Sequence, residues 1–103
     1  MTEIHSGGLI VKDPNAEEVY VVDWGLEHLA TGVEIDDSEW IISGRDTALT
    51  EDEDAILTGN RRTSIRLAAG TLGYRYTVTN RIVTNESPAQ TKDASFEVLI
   101  QQE

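Results

Sequence analysis

The sequence predicts an all-β fold, an antiparallel two-sheet immunoglobulin-like sandwich with a flexible N-terminal arm. Three observations carry that reading. Short segments rich in valine, isoleucine, threonine and tyrosine alternate apolar with polar positions. Turn signals built from Gly, Asn, Asp and Pro separate them into six or seven strands. No stretch has the length and period of a self-supporting helix. The 103 residues suffice for one domain, assigned to residues 15–103, with residues 1–14 as the arm. A chain of this size buries roughly 65% of its unfolded surface.

The arm comes first. Ser6-Gly7-Gly8 is flexible, Leu9-Ile10-Val11 is a short apolar run, and Lys12-Asp13-Pro14-Asn15 signals a turn, so the first eight residues are expected to be loosely held. Glu17 to Trp24, ending at Gly25, reads as a strand mostly buried on both faces. From Val33, apolar Val33 and Ile35 alternate with acids before Trp40 and Ile42 resume the period, with a bend expected at Asp36 to Ser38. Arg45 to Thr50 reads as a short strand. Thr50-Glu51-Asp52-Glu53 resembles a helix cap, but a helix to Leu57 would be barely two turns, so Glu51 to Asp54 is read as a loop.

Thr63 to Ala68 alternates cleanly, with Ile65 and Leu67 on one face and Ser64 and Arg66 on the other. Ala69-Gly70-Thr71-Leu72-Gly73 turns into Tyr74 to Thr84, the longest strand, whose even positions to Val78 are apolar. Asn85 to Ala94 contains Pro88 and reads as a loop. Ser95 to Ile100 closes the fold, with Phe96, Val98 and Ile100 on the inner face. No repeat of solenoid period is visible.

Charge narrows the function. The chain carries 8 basic and 19 acidic residues, a net of -11, which disfavours binding to a phosphate backbone. The first fifty residues account for -9 of that charge, whereas five arginines lie between Arg61 and Arg81. A domain with an acidic side, steered towards a basic partner, is compatible with this linear asymmetry, which does not by itself establish a spatial one. No apolar run approaches the roughly 20 residues of a membrane helix, and Met1 to Gly8 lacks the regions of a signal peptide. Zero cysteines remove disulfides, thiolate metal sites and thiol nucleophiles together.

Catalytic patterns are missing. His5 and His28 read as surface residues, no serine sits in a nucleophile elbow, and Gly70-Thr71-Leu72-Gly73 lacks the spacing of a phosphate loop. The acidic groups Glu34 to Glu39 and Glu51 to Asp54 raise a calcium hypothesis, but neither fits the twelve-residue loop pattern, and charge runs are usually solvated faces. Trp24 and Trp40 are assigned to the core in preference to a sugar-stacking platform, because each lies in an apolar strand. Arg66, Arg75 and Arg81 are placed on outer sheet faces. No catalytic residue, metal ligand or cofactor is assigned.

Several blocks occur together in a telling order. These are Val11-Lys12-Asp13-Pro14, Asp23-Trp24, Ser38-Glu39-Trp40, Leu67 to Thr71 running into Tyr74 to Ile82, and Ser95-Phe96-Glu97-Val98. Over residues 11 to 100 the chain resembles the small phage fibre-tail adaptor proteins. It departs from their pattern at Asn85 to Lys92, a longer loop in place of a short glycine-rich hairpin, and at the acidic Thr50 to Asp54. The resemblance implies a non-enzymatic structural virion protein near the tail tip or baseplate, made in the host cytoplasm and docking to tail, baseplate or fibre proteins. It also implies a homo-oligomer in the virion, with neither nucleic acid nor membrane as partner.

For such docking, the partner-binding candidates are Leu9, Ile10, Val11 and Asp13 in the arm and Glu51, Asp52, Glu53 and Asp54 in the acidic stretch. The apolar run suits strand addition to a neighbour's sheet. Two rival readings stay open: a carbohydrate-binding adhesion sandwich using calcium, and an acidic intracellular inhibitor of a nucleic-acid enzyme.

Overall fold

The computed structural model describes residues 2–4, 7–27 and 29–102. Its elements, in chain order, are β1 (Thr2–Ile4), β2 (Leu9–Lys12), β3 (Glu18–Asp23), the single turn α1 (Trp24–Glu27), β4 (Ile35–Ser43), β5 (Leu49–Ile56), β6 (Arg62–Ala69), β7 (Arg75–Thr84) and β8 (Thr91–Ile100). Two four-stranded sheets form, in the orders β1-β3-β6-β5 and β2-β8-β7-β4. The orders are consistent with an immunoglobulin sandwich, in which A-B-E-D faces C-F-G.

Strict alternation builds the core. In β7, Tyr76, Val78, Asn80, Ile82 and Thr84 point inward and are buried; in β8, Ala94, Phe96, Val98 and Ile100 do the same. They meet Tyr20, Val22, Ile65 and Leu67 of the facing sheet, with Trp24 and Leu29 closing one end. Phe96 sits at the centre, its ring 6.4 Å from both Tyr20 and Trp40. Tyr20, Val21 and Val22 are all buried, as the doubly buried reading of β3 requires.

The structure corrects several expectations. First, Leu9 to Lys12 is not a flexible arm but the edge strand of the second sheet, parallel to β8 with Leu9 opposite Glu97 and Lys12 opposite Ile100. The cause is the residue after the apolar run. Ile10 packs on the core, and Lys12 is buried with its Nζ donating to the carbonyls of Asp13 (2.9 Å) and Ala69 (2.7 Å), which pins the strand to the β6–β7 turn. Burial pushes the Lys12 ammonium below the usual lysine range, while Glu18, Asp13 and Glu17 oppose that shift.

Second, the sandwich is not wholly antiparallel, because β1–β3 and β2–β8 are parallel pairs. Third, Glu51 to Asp54 is strand, part of β5, because pairing with β6 supplies the ladder bonds that local propensity does not. The register slips between Asp52 and Ala55, a bulge in which Glu53 takes φ 50°. Fourth, the final strand starts at Thr91 and shortens the preceding loop to residues 85–90. The bend expected near Asp36 is a bulge between Ile35 and Asp37 inside one continuous β4, and Arg45 to Ala48, read as part of a short strand, is the bend that leads into β5 at Leu49.

Candidate docking surface

Three side-chain anchors tie the two sheets and their connecting loops together by hydrogen bonds. Asn80 is buried between the sheets. Its Oδ1 accepts from Trp24 Nε1 (2.9 Å) and Thr63 Oγ1 (2.6 Å), and its Nδ2 donates to Ser38 Oγ and the Glu39 carbonyl, both at 2.9 Å. All four hydrogen-bonding positions of the amide are used, which joins both sheets and α1 through one side chain.

Arg61 organises the β3–β4 connection. Its Nη1 donates to the carbonyls of Ala30 (3.1 Å) and Val33 (2.5 Å), and its Nη2 lies 3.5 Å from those of Gly25 and Leu29. Gly25 makes room for it, since a Cβ there would stand 2.9 Å from Arg61 Nε. The same end is stitched by Ile35 N to Asn60 O and by Asn85 N to Glu34 O.

At the opposite end, Tyr76 Oη donates to Asp46 Oδ1 (2.5 Å) and accepts from Thr71 N (3.0 Å), while Thr71 Oγ1 donates to Asp46 Oδ2 (2.6 Å). Tyr76 thus occupies the place of the corner tyrosine of immunoglobulin-like sandwiches. These donors hold the Asp46 carboxyl below the usual carboxylate range.

With the ends fixed, the two long sides differ in chemistry. One side is bounded by β4 and β5, the edge strands of the two sheets. Asp36, Asp37 and Glu39 on β4 and Glu51, Asp52, Glu53 and Asp54 on β5 are all exposed there. The two acidic stretches, separate in sequence, therefore share one side of the fold. Asp52 is held by Arg66 at 2.8 Å, which lowers its carboxyl, whereas partial desolvation of a carboxyl that stays exposed, with the neighbouring Asp54 and Asp52, pushes Glu51 up.

The arginines do not build a second pole. Arg66 bridges Glu17 and Asp52, Arg75 meets Glu97, and Arg81 spans Asp93 and Glu39, all across strands on outer faces as predicted. The other long side ends at β2, where Leu9 and Val11 are 53% and 43% exposed. Ile10 faces inward, and Asp13 turns the chain, its Oδ1 accepting from Asn15 N (2.8 Å). The predicted partner-binding residues thus fall into two groups on opposite sides of the sandwich.

Trp24 is wholly buried, and Trp40 is half-buried with its ring edge-on to Phe96, so neither lies flat as an open platform. Among the described residues no pocket opens and no group of three His, Asp or Glu side chains converges on a metal position. His5 and His28 lie outside the described residues. Asn80, Asp46, Arg61 and Lys12 were not singled out by the sequence. For Asn80 a signal was present, a polar residue at an inward step of the β7 alternation; Lys12 figured only within a turn signal and a family block, and Arg61 gave no signal.

The geometry defines a small β-sandwich with exposed carboxylates along one long side and two exposed apolar residues on the other. Its family follows from comparison: residues 12–99 match the model described as Podophage GP4 fiber-tail adaptor protein gp77, and the chain belongs to that family of phage tail structural proteins. A comparison with curated proteins finds no match. Among solved structures, the chain is similar to the cysteine protease inhibitor EhICP2 from Entamoeba histolytica. The two share 14% identity at a TM-score of 0.55, over 97% of each chain, a likeness of fold alone.

Proposed function

We propose that the chain is a non-enzymatic adaptor that joins a tail protein to a fibre or baseplate component of the virion, acting by docking. The family match over residues 12–99 carries the reading. The acidic β4–β5 side supports it, because a strongly charged surface selects a basic partner and speeds its encounter. In this reading Glu51, Asp52, Glu53 and Asp54 face the partner. The protein accumulates in the host cytoplasm and is built into the tail near its tip or baseplate.

The test has two arms. Antibody-gold labelling of purified virions is expected to mark the tail tip, and virions carrying the quadruple change of Glu51, Asp52, Glu53 and Asp54 to their amides are expected to lose the protein while it stays folded. Protein found in infected cells but absent from virions by peptide mass spectrometry would overturn the adaptor reading and put the acidic inhibitor first.

A further inference from the structure

We propose that β2 is a strand-addition edge that pairs antiparallel with β2 of a second copy of this chain. The backbone supports this first. Glu97 N donates to Gly8 O and Gln101 N to Lys12 O, so the even-numbered residues of β2 turn their peptide groups towards β8. Strand geometry then directs the N–H and C=O of Leu9 and Val11 to the open side. Among the described residues no strand pairs with β2 there.

Side chains fit the same occupant. Leu9 and Val11 are exposed and apolar, and the one lysine of β2, Lys12, is buried with its ammonium bonded to Ala69 O inside the fold, so no charged side chain of the strand stands on its exposed face. An antiparallel pair centred on Ile10 sets Leu9 of one copy opposite Val11 of the other, twice, about a two-fold axis. The segment is therefore complementary to itself in both hydrogen bonds and apolar contacts.

Charge distribution selects β2 over the opposite edge. Two chains of net charge -11 repel, and contact through β4 or β5 would set their exposed carboxylates face to face. The sheet order places β4 three strand spacings from β2, about 14 Å, which exceeds the ~8 Å screening length at physiological salt. Pairing through β2 turns both acidic sides outward and leaves them free for a basic partner. The contact is short, so the association belongs to the weak class read from a concentration series.

The inference does not rest on the adaptor reading and is tested on the purified full chain by sedimentation velocity from micromolar to millimolar concentration. The expected result is a reversible dimer, weakened about tenfold or more by Val11→Pro and by Val11→Lys and unchanged by Ile41→Lys on β4. Proline at residue 11 removes an N–H that points to the open side, so β2 keeps its bonds to β8. Val11→Lys retains the backbone donor and guards against a variant that misfolds. A chain that stays monomeric throughout overturns the proposal, including one that accepts a strand only from another protein. So does a dimer that resists both Val11 changes or is lost with Ile41→Lys.

Discussion

Asn80 shows how one polar residue fixes the relation of two sheets. Replacing it with leucine, which has the same branching but no polar atom and a larger volume, leaves Trp24 Nε1 and Thr63 Oγ1 buried without their acceptor. The expected cost is about 3 kcal/mol, read as a lower midpoint in urea at unchanged slope. Glu51 behaves oppositely. Its folded pKa is raised, so the stability it contributes is present below its unfolded value of about 4.3 and lost as pH climbs through the folded one. Glu51→Gln is therefore expected to raise the melting temperature at pH 7 and to make little difference at pH 3.5. Asp46, Asp52 and Asp93 carry the reverse sign: their lowered values give stability above about pH 4 that is lost on further acidification. Asp46→Asn should flatten the acid limb of a melting-temperature profile.

β2 is the element on which sequence and structure part most clearly. Local reading sees glycines, a short apolar run and a proline turn, and hence an arm. What makes a strand of it is Lys12, whose buried ammonium satisfies Ala69 O, on the far side of the fold in sequence. Deleting residues 1–11 removes most of β2 and uncovers the edge of β8, and is expected to lower the melting temperature measurably; an unchanged melt would restore the arm reading. The β6–β7 turn is the matching constraint. Gly70 has φ +101°, and a Cβ there would stand 2.7 Å from Ile100 Cδ1. Gly70→Ala is expected to destabilise by about 1–3 kcal/mol, measured by denaturant unfolding. The alternation of β7 and β8 was legible because one buried face enforces a period of two, whereas in β6 Ile65 and Leu67 face inward as read but Ser64 on the other face is buried too. The acidic β5 was not, because its pairing comes from β6, residues that follow it in the chain.

At the scale of the molecule, folding turns a linear charge asymmetry into a spatial one. Asp36 to Glu39 and Glu51 to Asp54 converge on the β4–β5 side, while Arg66, Arg75 and Arg81 are absorbed by cross-strand carboxylates. Docking to a basic partner through that side should weaken steeply with salt, since exposed charges are screened within ~8 Å at physiological ionic strength. Strand addition at β2, made of apolar contacts and backbone hydrogen bonds, should respond far less. Association rates measured across a salt series would separate the two sides.

By itself the sequence determined the all-β class, the inward faces of β6, β7 and β8, the burial of Trp24, the outward arginines and the family resemblance. Each depends on local alternation or on residue types in order, information that a linear chain carries directly. Tertiary structure alone decided that Leu9 to Lys12 is a sheet edge, that Glu51 to Asp54 is a strand, that Asn80 and Arg61 are anchors, and that the two acidic stretches share a side. Most of those outcomes depend on partners distant in sequence, where a buried ammonium, guanidinium or amide finds its hydrogen bonds only after the sheets have met, and the strand at Glu51 to Asp54 depends on its pairing with the strand that follows it.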